Sequence, residues 1–334
     1  MIIFFAILIT VALIGVRRRI VDDGVWCNKC ETDVVKGFFI CWVVVGHSLS
    51  FVPTEASNRL VELARFVNGT MGQLVVVPFL FFSGYGVSES IRRKGIAYVR
   101  QLPQKRILPT LLNFDVSVFV FSVLYLIYGG LLSCGKFCQA LIGWIGVGNN
   151  NWYVFVILGC YLLAFVASIF KIRGGLLCFI LVFGFSIAMS FLKIEIHWHN
   201  TMMAFPAGML FSENRDLFER LLKTGYLKWL LIFAVGFIVF YAIPWRFRGI
   251  KYNIRGIFMM LTIIVTLMFK FKFESRFLGW AGLNLFPIYL YHLLPMRVLS
   301  NTPLVTYPVL FATLAYSASA IIVYAYPKFK INLR

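Results

Sequence analysis

The stretch ETDVVKGFFICWVVVGHSLSFV, Glu31–Val52, is apolar enough to lie in a membrane, yet it carries Lys36 at one end and His47 deep inside. Eleven residues at about 100° each turn through roughly 1100°, within about 20° of three full turns, so the two side chains share one helix face. At about 1.5 Å per residue they stand roughly 16 Å apart along the axis. With Lys36 at a membrane surface, His47 would lie near the middle of a hydrocarbon core about 30 Å thick. An ionisable group at that depth is costly in lipid and is expected to face protein or a water-filled cavity. Asp33 is expected to cap this helix.

The rest of the chain supports a membrane setting. Of its 334 residues 60% are hydrophobic and 13% charged, where ordinary soluble domains are about 45–50% apolar and about 25% charged. The net charge of +19 would suggest nucleic acid in a soluble protein. Here the basic residues fall in short loops between apolar runs, so membrane topology and anionic lipid account for most of them, and no nucleic-acid partner is expected. Cys41, Cys160 and Cys178 lie in apolar runs and read as packing residues. Cys27 and Cys30 form a lone C-x-x-C with no second ligand pair nearby, so no metal site is expected.

Residues 1–16, MIIFFAILITVALIGV, precede Arg17, Arg18 and Arg19. A secretory signal has the opposite charge order, so an uncleaved first helix with its N-terminus outside is expected. Further apolar runs occupy 34–52, 73–90, 107–130, 152–170, 175–192, 200–212, 228–245, 256–271, 277–300 and 303–326, the run at 200–212 being the weakest. Alternation then places the C-terminus inside. It also places every basic residue inside except Arg59, Arg65, Lys136, Lys193, Arg246, Arg248, Lys251, Arg255 and Arg297, a bias that fits the positive-inside rule. The segment RFRGIKYNIR, 246–255, is the local exception.

A basic residue, ten intervening residues, His and then Ser resemble the first core helix of the acyltransferase-three family of integral-membrane O-acyltransferases. The resemblance continues in FLFFSGYGVSESIRRKGIAYVRQLPQKRILP, NNNWYVFVILGCYLL, FPAGMLF and LGWAGLNLFPIYLYHLLP, from about residue 31 to 326. It implies an all-α, polytopic transmembrane bundle with a ten-helix core. Residues 1–30 would then be an added helix and basic cytoplasmic loop, and 31–334 the acyltransferase domain. Lys36 stands where many family members have arginine, which keeps the charge but loses the bidentate fork.

The family implies transfer from acyl-CoA, usually acetyl-CoA, to a hydroxyl on a cell-surface glycan or lipid-linked saccharide, at the plasma membrane and with no permanently bound cofactor. A hydroxyl is a weak nucleophile and needs a general base; His47 is the candidate. A transient acyl-enzyme is the alternative within the same chemistry. For the donor's phosphates the candidates are Lys36, Arg92, Arg93, Lys105 and Arg106, because basic side chains bind phosphate by charge-assisted hydrogen bonds. Positive-inside topology and, for Lys36, snorkelling are the plainer readings. Asp115 would orient His47 or pair with Lys36. Trp152 would contact the acceptor or sit in an aromatic belt. Tyr289 and His292, three residues apart, share a face and would share a polar cavity with His47 or pack between helices. His197 and His199 read as interfacial, and Ser83, Gly84 and Gly86 as close-packing residues. The rival function is a transporter or flippase for lipid-linked saccharides, with a glycan polymerase third. Transporters more often show repeats or paired broken helices, and neither is evident in the sequence.

Overall fold

Each apolar run folds as helix, because a backbone in lipid must satisfy its own hydrogen bonds. The structure, a computed structural model, describes residues 1–20, 26–170, 174–242 and 248–332; Lys171, Arg173, Arg246 and Arg334 of the topology argument lie outside them. In chain order the helices are α1 (Ile2–Ile14), α2 (Lys29–Leu49), α3 (Arg59–Met71), α4 (Val77–Lys94), α5 (Ile96–Leu102), α6 (Leu108–Ile127), α7 (Cys134–Leu141) and α8 (Trp152–Phe170). Then follow α9 (Gly175–Phe191), α10 (Ala204–Glu213), α11 (Arg215–Ala242), α12 (Arg248–Ile263), α13 (Arg276–Leu283), α14 (Leu285–Tyr291), α15 (Leu293–Ser300) and α16 (Pro308–Ala325).

By length and composition, six helical stretches among the described residues can cross a membrane: 29–49, 59–94, 96–127, 152–170, 215–242 and 308–328. The segment 276–300 adds a seventh only as a bent pair, with a 69° break near Asn284. Helices α1 and α9 are apolar but shorter, and α10 has ten residues. The protein is therefore an all-α, polytopic bundle, but several of its helices are too short to be simple spans. The broken helix at Asn284 also corrects the expectation of unbroken segments.

Helix α2 starts earlier than its apolar run because Asn28, not Asp33, caps it: the Asn28 side chain accepts from the Glu31 N–H at 3.1 Å. Asp33 lies inside the helix and pairs with Lys36 at 2.7 Å. Helix α2 packs along α13 at a crossing built on glycines. A Cβ on Gly37 would lie 1.8 Å from the Leu278 carbonyl oxygen, and one on Gly282 1.7 Å from that of Asp33. Helices α4 and α10 meet the same way at Gly84 and Gly208, whereas a Cβ at Gly86 meets nothing within 4 Å. Small residues at such crossings let backbones approach closely, which is a main source of helix association in lipid. Gly37→Leu is expected to cost about 3 kcal/mol or more, since backbone cannot yield as a side chain can. Gly86→Ala should leave thermal stability in detergent close to wild type, and equal stability of the two variants would show the crossing to be looser than described.

One short antiparallel pairing joins the segment after α1 to the one before α13: Val16, Arg17 and Arg18 (β1) lie against Phe273, Lys272 and Phe271 (β2). Hydrogen bonds from Lys272 and then Arg17 hold the Glu274 carboxyl below the usual carboxylate range. Arg19 reaches Glu31 at 2.6 Å. These contacts gather Arg17–Arg19, Lys270 and Lys272 at the end of the bundle where α2 begins. Arg65 donates to the Val52 carbonyl at 2.8 Å, at the opposite end of α2.

Candidate functional site

Helix α2 connects two polar chambers. Near its C-terminal end His47 lines a cavity of about 250 Å³ with Asn68, Gln73, Trp152 and Tyr289 among its walls. His47 occupies the last turn of α2, which ends at Leu49. Its Nδ1 lies 2.7 Å from Nε2 of His292, and the two rings stack with centroids 5.0 Å apart. His292 is fully buried at the junction of α14 and α15.

The hydrogen bonds assign the protons. His292 Nδ1 lies 2.8 Å from the Ile288 carbonyl oxygen, which can only accept. In the neutral ring Nδ1 therefore carries the proton and Nε2 the lone pair. The short contact then requires His47 Nδ1–H to donate, which leaves His47 Nε2 unprotonated. Asn150 Nδ2 lies 3.4 Å from both His47 Nδ1 and His292 Nε2; with His47 Nδ1 protonated, only His292 Nε2 can accept from it, sharing its lone pair. Tyr289 packs against Tyr153 at 4.9 Å and Trp152 meets His197 edge-on at 6.0 Å.

The second chamber, about 630 Å³, opens near the start of α2. Lys29, Lys36, Arg92, Arg93, Arg106 and Arg215 line it, with Glu89 as the lining carboxylate. Glu89 is buried, pairs with Arg92 at 2.7 Å and accepts from Ser212 Oγ at 3.0 Å. Arg106 donates to Tyr98 Oη at 3.1 Å. Arg215 donates to Tyr85 Oη at 3.1 Å and to the Trp26 carbonyl. The surplus of cations suits a polyanion. Helix α4 also links the chambers. The turn before it supplies Val75 and Val76 to the histidine cavity, and its own Phe82 to Arg93 stretch supplies the basic one.

Several expected residues thus come together: His47, Tyr289 and Trp152 line one chamber with His292 behind His47, and Lys36, Arg92, Arg93 and Arg106 line the other. Lys105 does not join them; it is exposed and outside the lining of the basic chamber, on a π turn that directs Arg106 inward. Asp115 is also apart. Its Oδ1 is buried without a hydrogen-bond partner among the described residues, and Lys36 pairs with Asp33 instead. His199 is buried rather than interfacial, its carbonyl accepting from Ser186 and Asn253. Sequence reasoning missed Asn150 and Arg215. The run Asn149–Asn151 before Trp152 was the available signal for the first; nothing local marks the second. Among the described residues no cluster of three His, Cys, Asp or Glu side chains is placed to hold a metal ion.

A family model described as an acyltransferase domain, Acyl_transf_3, matches residues 31–326. No curated protein and no solved structure matches the chain.

Proposed function

The chain belongs to the acyltransferase-three family and is a multi-pass membrane acyltransferase; from that premise we propose that it moves an acetyl group from acetyl-CoA to a hydroxyl of a cell-surface glycan or lipid-linked saccharide at the plasma membrane. The observation that carries this reading is the His47–His292 pair at 2.7 Å, which leaves Nε2 as the proton-accepting nitrogen of a side chain that lines a chamber. His47 Nε2 takes the acceptor's hydroxyl proton as its oxygen attacks the thioester carbonyl. The tetrahedral intermediate collapses, the C–S bond breaks, and the CoA sulfur leaves with the proton returned from His47. While His47 is an imidazolium, its Nδ1–H still donates to neutral His292, which stabilises the charge and fixes the ring. Asn150 donates to His292 and lies against His47.

The donor's phosphates bind among Lys36, Arg92, Arg93, Arg106 and Arg215, at the cytoplasmic end, where acyl-CoA is made. The thioester arm then follows α2 and α4 over the roughly 16 Å that separates Lys36 from His47. Arg106→Ala is expected to raise the KM for acetyl-CoA about tenfold with kcat little changed, since a hydrogen bond to a charged group contributes about 1.5–3 kcal/mol. Salt should weaken the donor's binding too, because exposed charges are screened over about 8–10 Å. An unchanged KM would remove the donor from this chamber. Lys36→Arg should keep most activity and Lys36→Met lose much of it; equal, near-normal turnover in both at matched abundance would leave Lys36 as a snorkelling residue.

The break at Asn284 is a feature shared with transporters. Label transfer from acyl-labelled CoA to an acceptor tests between the two, since a flippase needs no acyl donor.

A further inference from the structure

A third cavity, about 360 Å³, is lined by Tyr125, Tyr128, Gly148, Arg297, Ser300 and Asn301, among others. It has no part in the chemistry derived above. Arg297 is held in place from two sides. Its Nε donates to the Gly148 carbonyl at 2.5 Å, and its guanidinium stands 6.0 Å from the centroid of Phe51, just past the end of α2. Gly148 is built for this contact: its φ is +102°, and a Cβ there would come within 3.0 Å of Arg297 Nε. The two terminal nitrogens of Arg297 make no hydrogen bond and no ion pair among the described residues. A guanidinium fixed through Nε alone keeps its outer edge free for a bidentate partner.

The cavity belongs spatially to the reaction centre. Arg297 follows His292 by five residues, about 7.5 Å along the helix axis and about 140° around it, so the link to the histidines runs through the loop it contacts. The loop that accepts from Arg297 at Gly148 carries Asn150, which touches both histidines. Gly148 and Asn150 are two residues apart, at most about 7 Å of chain, so the Arg297 contact and the histidine contact are linked by a span on the order of one sugar ring. The remaining lining suits a saccharide, with two tyrosine rings for the C–H face of a pyranose and, on Ser300 and Asn301, side-chain oxygens that can accept from its hydroxyls while their donors bond the Arg297 carbonyl.

We propose that this cavity is an acceptor subsite in which Arg297 binds an anionic oxygen group, a carboxylate or a phosphate, carried by the saccharide within about one sugar unit of the acylated hydroxyl. The proposal rests on the acyltransferase reading and names the class of its acceptor. Arg297 selects charged acceptors by its unpaired edge; a neutral saccharide leaves that half-buried charge without a partner and binds less well.

The test uses the full chain in native membranes, acetyl-CoA labelled in its acetyl group, and a cell-envelope fraction as the source of acceptor. The labelled product is expected to bind an anion-exchange resin. Mild acid, which removes a lipid-linked diphosphate, separates the two sources. Charge that survives lies on the sugar, and charge that disappears was the diphosphate. Arg297→Gln should raise the KM for the envelope fraction about tenfold or more, leave the KM for acetyl-CoA unchanged, and be partly rescued by Arg297→Lys, which restores charge but not the planar fork. A neutral labelled product overturns the subsite and leaves acyl transfer standing. An unchanged acceptor KM in Arg297→Gln overturns it too, as does Arg297→Lys behaving like Arg297→Gln, since that outcome marks a purely structural tie to Gly148. No labelled product at all overturns both readings.

Discussion

His47→Ala is expected to lower the turnover of acyl transfer by about 10²–10⁴-fold, the range of a positioned general base, while the protein still accumulates in the membrane. The side chain is half-buried and lines a cavity, so its removal enlarges a space already present instead of opening a void in packed core. The KM for acetyl-CoA should change little, because the cations proposed to hold the donor lie at the other end of α2. Added imidazole should restore part of the activity by supplying the missing base. Near-normal turnover in purified His47→Ala would remove the base from the mechanism and leave the histidine chamber without a chemical role.

The second large effect belongs to His292. It touches His47 and not the acceptor, so it acts by position. His292→Ala should lower kcat by about tenfold to a hundredfold with little change in either KM. Without the acceptor nitrogen, His47 Nδ1 loses its partner and the ring can rotate away from the hydroxyl. The double variant His47→Ala/His292→Ala should be no worse than His47→Ala alone, because groups acting as one unit are not additive. A purely structural His292 predicts the opposite, with the two losses multiplying. His292 is fully buried, so a large-to-small change also costs stability; comparing thermal midpoints separates that cost from the loss of kcat.

What could be read along the chain was local. The apolar runs announce helices because lipid leaves the backbone no other choice, and the eleven-residue stride from Lys36 to His47 follows from helix geometry alone. The basic cluster Arg92–Arg106 was visible as composition, although its inward and outward members, Arg106 and Lys105, differ by a single position on a π turn. The rest depends on long-range contact. Asn150 meets His47 and His292 from a loop 103 and 142 residues away, and Arg215 reaches Trp26 across 189. The pairing of Val16 with Phe273 and the 69° break at Asn284 have no periodic signature. The start of α2 was misjudged because Asp33 and Asn28 are both good caps, and only the fold shows which one accepts from a free N–H.

The central claim is that acyl transfer from CoA runs through His47. The most direct measurement follows label from acetyl-CoA, labelled in the acetyl group, into envelope acceptor with wild-type chain and with His47→Ala at matched membrane abundance. The account predicts a labelled ester that forms with wild type and falls to background with the variant. No labelled ester with wild type, or equal labelling with both, would contradict it.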